Sequence, residues 1–470
     1  MLSFLALSRA FIFYLISFRC SISLAEEKIF EKVDKSENGD FIRAHFDSNV
    51  FSEFKSKILV LPLPNHSDLA FETVTESVVP SEISGSFYLW YGTIKNGIFG
   101  QANVALFSNG QMLCTIQVET ETFQCLPCKS ADPDFGSTNC VLIKKVPVLD
   151  AFDDFEISNG KPKKSDEIDF KEINPKISVL VIFTENSVKC SVSEENLKNQ
   201  IAFSFSQSNV VFSNNGINLE AKIVHWRKHD YSETGYMKDA LTFLKKSEKI
   251  AYLRKKVNAD LVAIVSHEMF GETDTNQLNC LAFESSKFGT WDPMNGFVAM
   301  EAKCLMSDPY LLSKAFGYVL GCRSEDNAIL PQNVPYSYSF SNDPCTYGTI
   351  MSNGCGNGAI VPFYSSSKYS FNGEKIGSKE YSDCARVIEE NKYLVSSYGS
   401  LNKGNTKNTS RQMQYKFQQE FPSQNKNRTS IPTLAPTSVR TLAPTSVPTL
   451  APTPLPTFAP TPLPTLAPTP

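Results

Sequence analysis

Two unbroken apolar runs, ISVLVIF (177–183) and ADLVAIVS (259–266), are separated by segments of helical period. A strand with no polar alternation has to be covered on both faces, and helices placed between such strands supply the cover. EENLKNQIAFSFSQSNVVFSN (194–214) is amphipathic at helical spacing and stops near Gly216. INLEAKIVHW (217–226) alternates as a strand, and MKDALTFLKKSEKIAYLRKKV (237–257) is helical. The alternation predicts an α/β layer built on a largely parallel sheet. The helix after it, DPYLLSKAFGYVLG (308–321), has Asp308 and Pro309 placed as N-cap and first-turn residue.

Before this layer the pattern is different. SFYLWYGTI (86–94), ANVALFSNGQMLCTIQV (102–118) and CVLIKKVPVL (140–149) are β-rich, with Ser108-Asn109-Gly110 as a hairpin turn. A charged stretch without apolar period separates the two regions. The tail repeats TLAPTSV and TFAPTPLP; its recurrent proline forbids helix and sheet ladders and suits an extended, O-glycosylated stalk. The expected organisation is a signal peptide (1–25), a β-rich region (26–150), a charged linker (151–175), an α/β domain (176–400) and a disordered Pro/Thr-rich tail (401–470).

Export follows from Arg9, the apolar run AFIFYLISF and the small residues Ser23 and Ala25. No later segment reaches the length of a spanning helix, so the mature chain is expected to have no transmembrane segment. In an oxidising compartment most of the 12 cysteines should be disulfides. Cys20 leaves with the signal, and the odd remainder leaves at least one thiol free or paired with another chain. Cys125-Leu-Pro-Cys128 is assigned to disulfides rather than to a redox or metal pair. Pairing among Cys114, Cys125, Cys128, Cys140 and Cys190 stays open. Asn65, Asn408 and Asn427 begin glycosylation sequons. With a net charge of -4 and no basic stripe, a nucleic-acid partner has no electrostatic support.

From about Lys176 to Tyr398 the chain resembles the reprolysin-like (adamalysin-type) metzincins, a family of zinc endopeptidases. ISVLVIFTENSV resembles the opening strand, and LRKKVNADLVAIVSH is similar to the third. YGTIMSNGCGNGAIVPFYSS resembles the methionine turn with Met351 beneath the metal, and DCARVIEENKYLVSSY the closing helix. SKAFGYVLGCRS has the spacing of H-E-x-x-H-x-x-G-x-x-H without its histidines. The resemblance implies a metzincin-like domain with a central mixed sheet, an active-site helix and a Met-turn, preceded by a pro-domain-like region. It places Lys314, Tyr318 and Ser324 where the family has zinc-binding histidines, and Ala315 where it has the general-base glutamate. It further implies the disulfides Cys280–Cys304 and Cys322–Cys355, with Cys345–Cys384 as a third choice.

A catalytic zinc needs three protein donors and an open position for water. An ammonium has no lone pair, a tyrosine is mostly protonated, and a serine hydroxyl is a poor ligand. Alanine accepts no proton, which removes general-base catalysis worth about 10²–10⁴-fold. The other histidines offer no substitute set. His267-Glu268 is followed at 271 by glycine, while His225 and His229 leave a strand. The catalytic set is therefore expected to be empty, with no cofactor and no zinc. The expected function is that of a secreted or cell-surface pseudoprotease that binds an extracellular protein or peptide, or a cell-wall or matrix component. An active metalloendopeptidase with an atypical metal site and a structural wall or matrix glycoprotein are the alternatives.

Overall fold

A computed structural model describes parts of 26–145 together with 175–267, 280–283, 296–324, 336–352 and 359–401. These residues all fall in one unit, Met1–Phe421; Pro422–Pro470 forms a second unit, outside the described residues. The expected signal peptide, the linker up to residue 174 and the tail beyond Leu401 also lie outside them, as do Asn408, Asn427 and Cys355.

The N-terminal half contributes β1 (Glu26–Lys28), β2 (Phe30–Lys35), β3 (Phe41–Phe46), β4 (Ile58–Leu61), β5 (Leu69–Val79), β6 (Phe87–Thr93), β7 (Gly100–Leu106), β8 (Met112–Val118), β9 (Glu121–Pro127) and β10 (Cys140–Lys145). They make a single ten-stranded sheet in the order β1-β4-β5-β6-β7-β8-β9-β10-β3-β2. Every neighbouring pair is antiparallel except β1 with β4. The two edge strands are separated in sequence by residue 29 alone, so the edges of the sheet must meet and the sheet curls on itself. Two disulfides, Cys114–Cys125 and Cys128–Cys140, tie neighbouring strands. The two cysteines of the Cys125/Cys128 pair thus bond to different partners. At the β7–β8 hairpin Gly110 adopts φ 81°, and its N–H donates to the Phe107 carbonyl (2.9 Å). Asn65, the sequon among the described residues, is exposed in the β4–β5 turn.

The second half contributes β11 (Lys176–Phe183), α1 (Glu185–Cys190), α2 (Glu194–Asn214), β12 (Glu220–Lys228), α3 (Met237–Lys246), α4 (Glu248–Val257), β13 (Leu261–Ser266), β14 (Leu281–Phe283), β15 (Phe297–Glu301), α5 (Ala302–Ser307), α6 (Leu311–Val319), α7 (Cys384–Val395) and α8 (Tyr398–Leu401). Its sheet has the order β12-β11-β13-β15-β14, with only β14 antiparallel. Alternate residues of β11 face opposite layers. Val179 and Val181 pack with Leu197, Ile201 and Phe205 of α2, whereas Leu180 and Ile182 pack with Met237, Leu241 and Leu244 of α3. Each such fully buried aliphatic stabilises the fold by about 1.5–3 kcal/mol. The single helix expected over 237–257 is two. Ser247 takes ψ 109° and its hydroxyl accepts from the Ile250 amide, ending α3 and capping α4.

The expected fold class is overturned. The chain is mostly β, and its largest element is the curled antiparallel sheet rather than one central metzincin-like α/β sheet with its helices. The apolar runs after 176 drew the class toward α/β. Antiparallel pairing, however, joins β4 to β10, each strand to its neighbour in sequence, into one meander of seven strands.

β7 and β8 are buried on both faces. Ala102, Val104, Cys114 and Ile116 point into the curled sheet. On the opposite face, Ala105 and Leu113 join Phe87, Phe107 and Phe203 of α2. Gln207 of α2 donates to Thr115 Oγ1 (2.6 Å), and Asn199 donates to Gln111 (2.7 Å). Among the described residues, no helix is long and apolar enough to cross a membrane.

Candidate functional site

Helix α6 is apolar almost all round, and a helix of that composition has to be enclosed. All nine of its residues are buried. Phe316 lies edge-on to Phe205 of α2, and Ser313 Oγ is 3.0 Å from Ser208 Oγ of the same helix. Tyr364 donates to the Ser313 carbonyl (2.7 Å), and burial pushes its hydroxyl far above the ordinary tyrosine range. Met351, expected under the metal site, is buried with its sulfur against Gly317, where any Cβ would collide with it.

The end of α6 is fixed in three ways. Gly321 takes φ 102°, which L side chains rarely adopt. Asn391 of α7 donates to the Leu320 carbonyl (2.8 Å), and Cys322 is bonded to Cys384, the first residue of α7. This corrects the expected Cys322–Cys355 pairing and rules out Cys345–Cys384. The turn at Gly321 directs residue 322 onto α7, with Cα atoms 5.4 Å apart. Cys345 is itself disulfide-bonded. Cys280 pairs with Cys304, and Cys190 is a free thiol whose pKa is raised by burial and then by Glu301.

Lys314 is 7% exposed, and its Nζ donates to Asp308 Oδ2 at 3.3 Å. Asp308 is not the N-cap of α6. It sits at the end of α5, and its Oδ1 accepts from the Tyr310 amide (2.8 Å). Ala315 and Ser324 are fully buried, and Tyr318 is enclosed in the main apolar cluster. Lys314 and Tyr318 share a helix face, as their spacing requires. The donor set at 314, 318 and 324 is an ion-paired ammonium, a phenol and a hydroxyl, which does not fit zinc.

Helix α6 begins against the curled sheet. Gln101 of β7 donates to the Tyr310 hydroxyl (3.3 Å), which donates in turn to Gln117 of β8 (2.9 Å). Gln117 then donates to the Ile360 carbonyl (2.9 Å). Burial raises the Tyr310 hydroxyl well above its usual range, so it stays a donor at any physiological pH.

His267 follows β13, and its Nδ1 lies 2.7 Å from Glu301 at the end of β15; the His267 amide donates to Glu233 (3.0 Å). His225 lies within β12 and His229 just beyond it, against Phe243. Among the described residues no three His, Cys, Asp or Glu side chains converge as a metal site. Sequence reasoning did not anticipate the Lys314–Asp308 and His267–Glu301 pairs. A six-residue separation is not a helix-face spacing, and 267 and 301 meet only because β13 and β15 are neighbours.

No family profile matches the chain, and neither does any curated protein. Two of the solved structures similar to it at a distance illustrate the likeness. One, a structure of a chaperone–substrate complex, is 14% identical at a TM-score of 0.39, covering 62% of this chain and 39% of that one. The chain therefore spans less than two thirds of that structure's own length. The other is metalloproteinase-II from Bacteroides fragilis, 12% identical at a TM-score of 0.40, covering 68% of this chain and 92% of that one.

Proposed function

We propose that this chain is a metallopeptidase-like glycoprotein without zinc-dependent hydrolysis, acting outside the cell or at its surface as a protein- or peptide-binding module or scaffold. The observation that carries the reading is the buried ammonium of Lys314, held by Asp308 at the first ligand position of the zinc motif. A cation there opposes Zn²⁺ electrostatically, and Ala315 supplies no proton acceptor. The reprolysin-type resemblance of 176–398 supplies the frame in which positions 314, 315, 318 and 324 acquire these roles. Binding needs no metal. β14 is an end strand of its sheet, and an extended peptide adds to a sheet edge through main-chain hydrogen bonds.

Elemental analysis of the purified chain, with a casein digestion assay with and without chelator, tests this directly. The expected result is far less than one zinc per chain and no chelator-sensitive cleavage. Stoichiometric zinc with chelator-sensitive proteolysis overturns the reading. Zinc uptake by a variant combining Lys314→His, Ala315→Glu, Tyr318→His and Ser324→His supports the assignment of the frame.

A further inference from the structure

The chain is acidic overall, yet between Lys245 and Lys256 it carries six basic residues and one acidic residue, Glu248. The structure sorts them. Arg254 turns inward, donating to the Ala259 and Asp260 carbonyls and lying over Phe297. Lys246, Lys249, Lys255 and Lys256 are exposed, and none of the four is ion-paired among the described residues. Lys249, Tyr252 and Lys256, at i, i+3 and i+7, form one outward stripe of α4, with Lys255 beside it. Tyr252 is 69% exposed in the middle of that stripe.

At the break between α3 and α4 the stripe meets an open groove of about 460 Å³. Its wall includes Tyr231 and Phe243, stacked with ring centroids 4.7 Å apart, with Thr242, Lys246 and Ser247 along the rim. Asp239 in the same wall is already engaged by the Thr234 hydroxyl (2.8 Å). His229, itself against Phe243, is disfavoured as a cation first by burial and, against the opposing charge of Asp230, by the nearby Lys249, so the lysine stripe and the aromatic wall adjoin.

We propose that the outer face of α4, with the adjoining groove, binds an acidic polysaccharide, a polymer of uronate or sulfated sugars. Unpaired ammonium groups along a helix match a polymer with one anion per residue or two. The aromatic wall offers flat apolar surface to the C–H face of a pyranose, and the Thr and Ser hydroxyls at its rim suit sugar hydroxyls. A lipid surface is a poorer match, because the stripe carries no large aliphatic side chain to insert. Nucleic acid is also poorer, since the arginine that would fork onto phosphate is turned inward. The inference is independent of whether the zinc motif is active.

The full chain is titrated with heparin, with polygalacturonate, with neutral dextran, with phosphatidylserine–phosphatidylcholine vesicles and with duplex DNA at low and physiological salt. Binding to at least one acidic polysaccharide and none to dextran is expected, weakening as salt rises. The Lys249→Gln, Lys255→Gln, Lys256→Gln variant should bind about tenfold or more weakly with a shallower salt dependence. Lysine acetylation of the unmutated chain, mapped by mass spectrometry, gives a readout that needs no variant: the polysaccharide should protect Lys249, Lys255 and Lys256. No binding at low salt, unchanged affinity in the triple variant, no protection of these lysines, or tighter binding to vesicles or DNA would each overturn the proposal.

Discussion

Replacing Lys314 by methionine keeps most of the side-chain volume and deletes the charge, so it isolates what the ammonium does in the enclosed helix. Lys314 and Asp308 have side chains 9% and 11% exposed and lie 3.3 Å apart. With an effective dielectric of about 20, the gross attraction at that distance is roughly 5 kcal/mol. Taking two ions out of water offsets most of it, so the intact pair is close to neutral for stability. Methionine abolishes the attraction while leaving the Asp308 carboxylate desolvated. The Tyr310 amide, 2.8 Å from Asp308 Oδ1, keeps part of the compensation. A loss of about 2–4 kcal/mol is therefore expected, read from urea denaturation of the full chain. Adding Asp308→Asn removes the stranded charge and leaves an oxygen for the Tyr310 amide. The double variant should recover to within about 1–2 kcal/mol of the parent. If Lys314→Met is as stable as the parent, or the second substitution recovers nothing, the two charges are not a buried pair and the reasoning fails.

Three further outcomes follow from the same packing. Asp260 accepts from the Ser178 amide (2.7 Å) and the Gly399 amide (2.8 Å), yet burial pushes its carboxyl up to about 7 from 3.8. The folded chain thus holds a proton that the unfolded chain releases. The associated stability is fully present below about pH 3.8 and is lost as pH rises through about 7, a swing of order 4 kcal/mol. Asp260→Asn should flatten the melting-temperature profile between pH 4 and 8, and an unchanged slope would assign the pH dependence elsewhere. Tyr310→Phe strands Gln117 Oε1 in the seam and should lower stability by about 1–3 kcal/mol, measurable by urea denaturation; a neutral result would mean the seam relaxes around it. Gly321→Ala forces φ 102° on a residue with a Cβ, 2.9 Å from Asn391 Nδ2. It should cost about 1–3 kcal/mol and slow reoxidation of Cys322 with Cys384, followed by thiol titration.

The sequence carried the strands with strong local signals and missed what depends on distant partners. ISVLVIF and ADLVAIVS lie where the apolar runs placed strands, because runs without polar alternation suit strands covered on both faces. The split at Ser247 was hidden because a helical period continues across it, and a single ψ angle breaks a helix without changing its pattern. Gln101, Asn103, Thr115 and Gln117 alternate like a solvent-facing surface, yet all four are buried: Thr115 accepts from Gln207 of α2, while Gln101 and Gln117 bond to Tyr310 ahead of α6. At the candidate site, the spacing located α6 and the turn at Gly321. The partner of Cys322 and the carboxylate facing Lys314 were set by where α7 and the end of α5 come to rest, and no local pattern records that.

The way the curled sheet closes has a consequence for the order in which it is assembled. β4 to β10 can add one after another as each emerges, since every hairpin has its partner next to it in sequence. Residues 26–35 emerge before any of them, but β1 waits for β4, and the sheet is joined only when Ile42 of β3 finds Ile143 of β10. Vectorial synthesis therefore produces the clasp first and its catch last. Until the catch arrives, the growing meander presents bare strand edges, and in that interval it is most exposed to pairing with its neighbours.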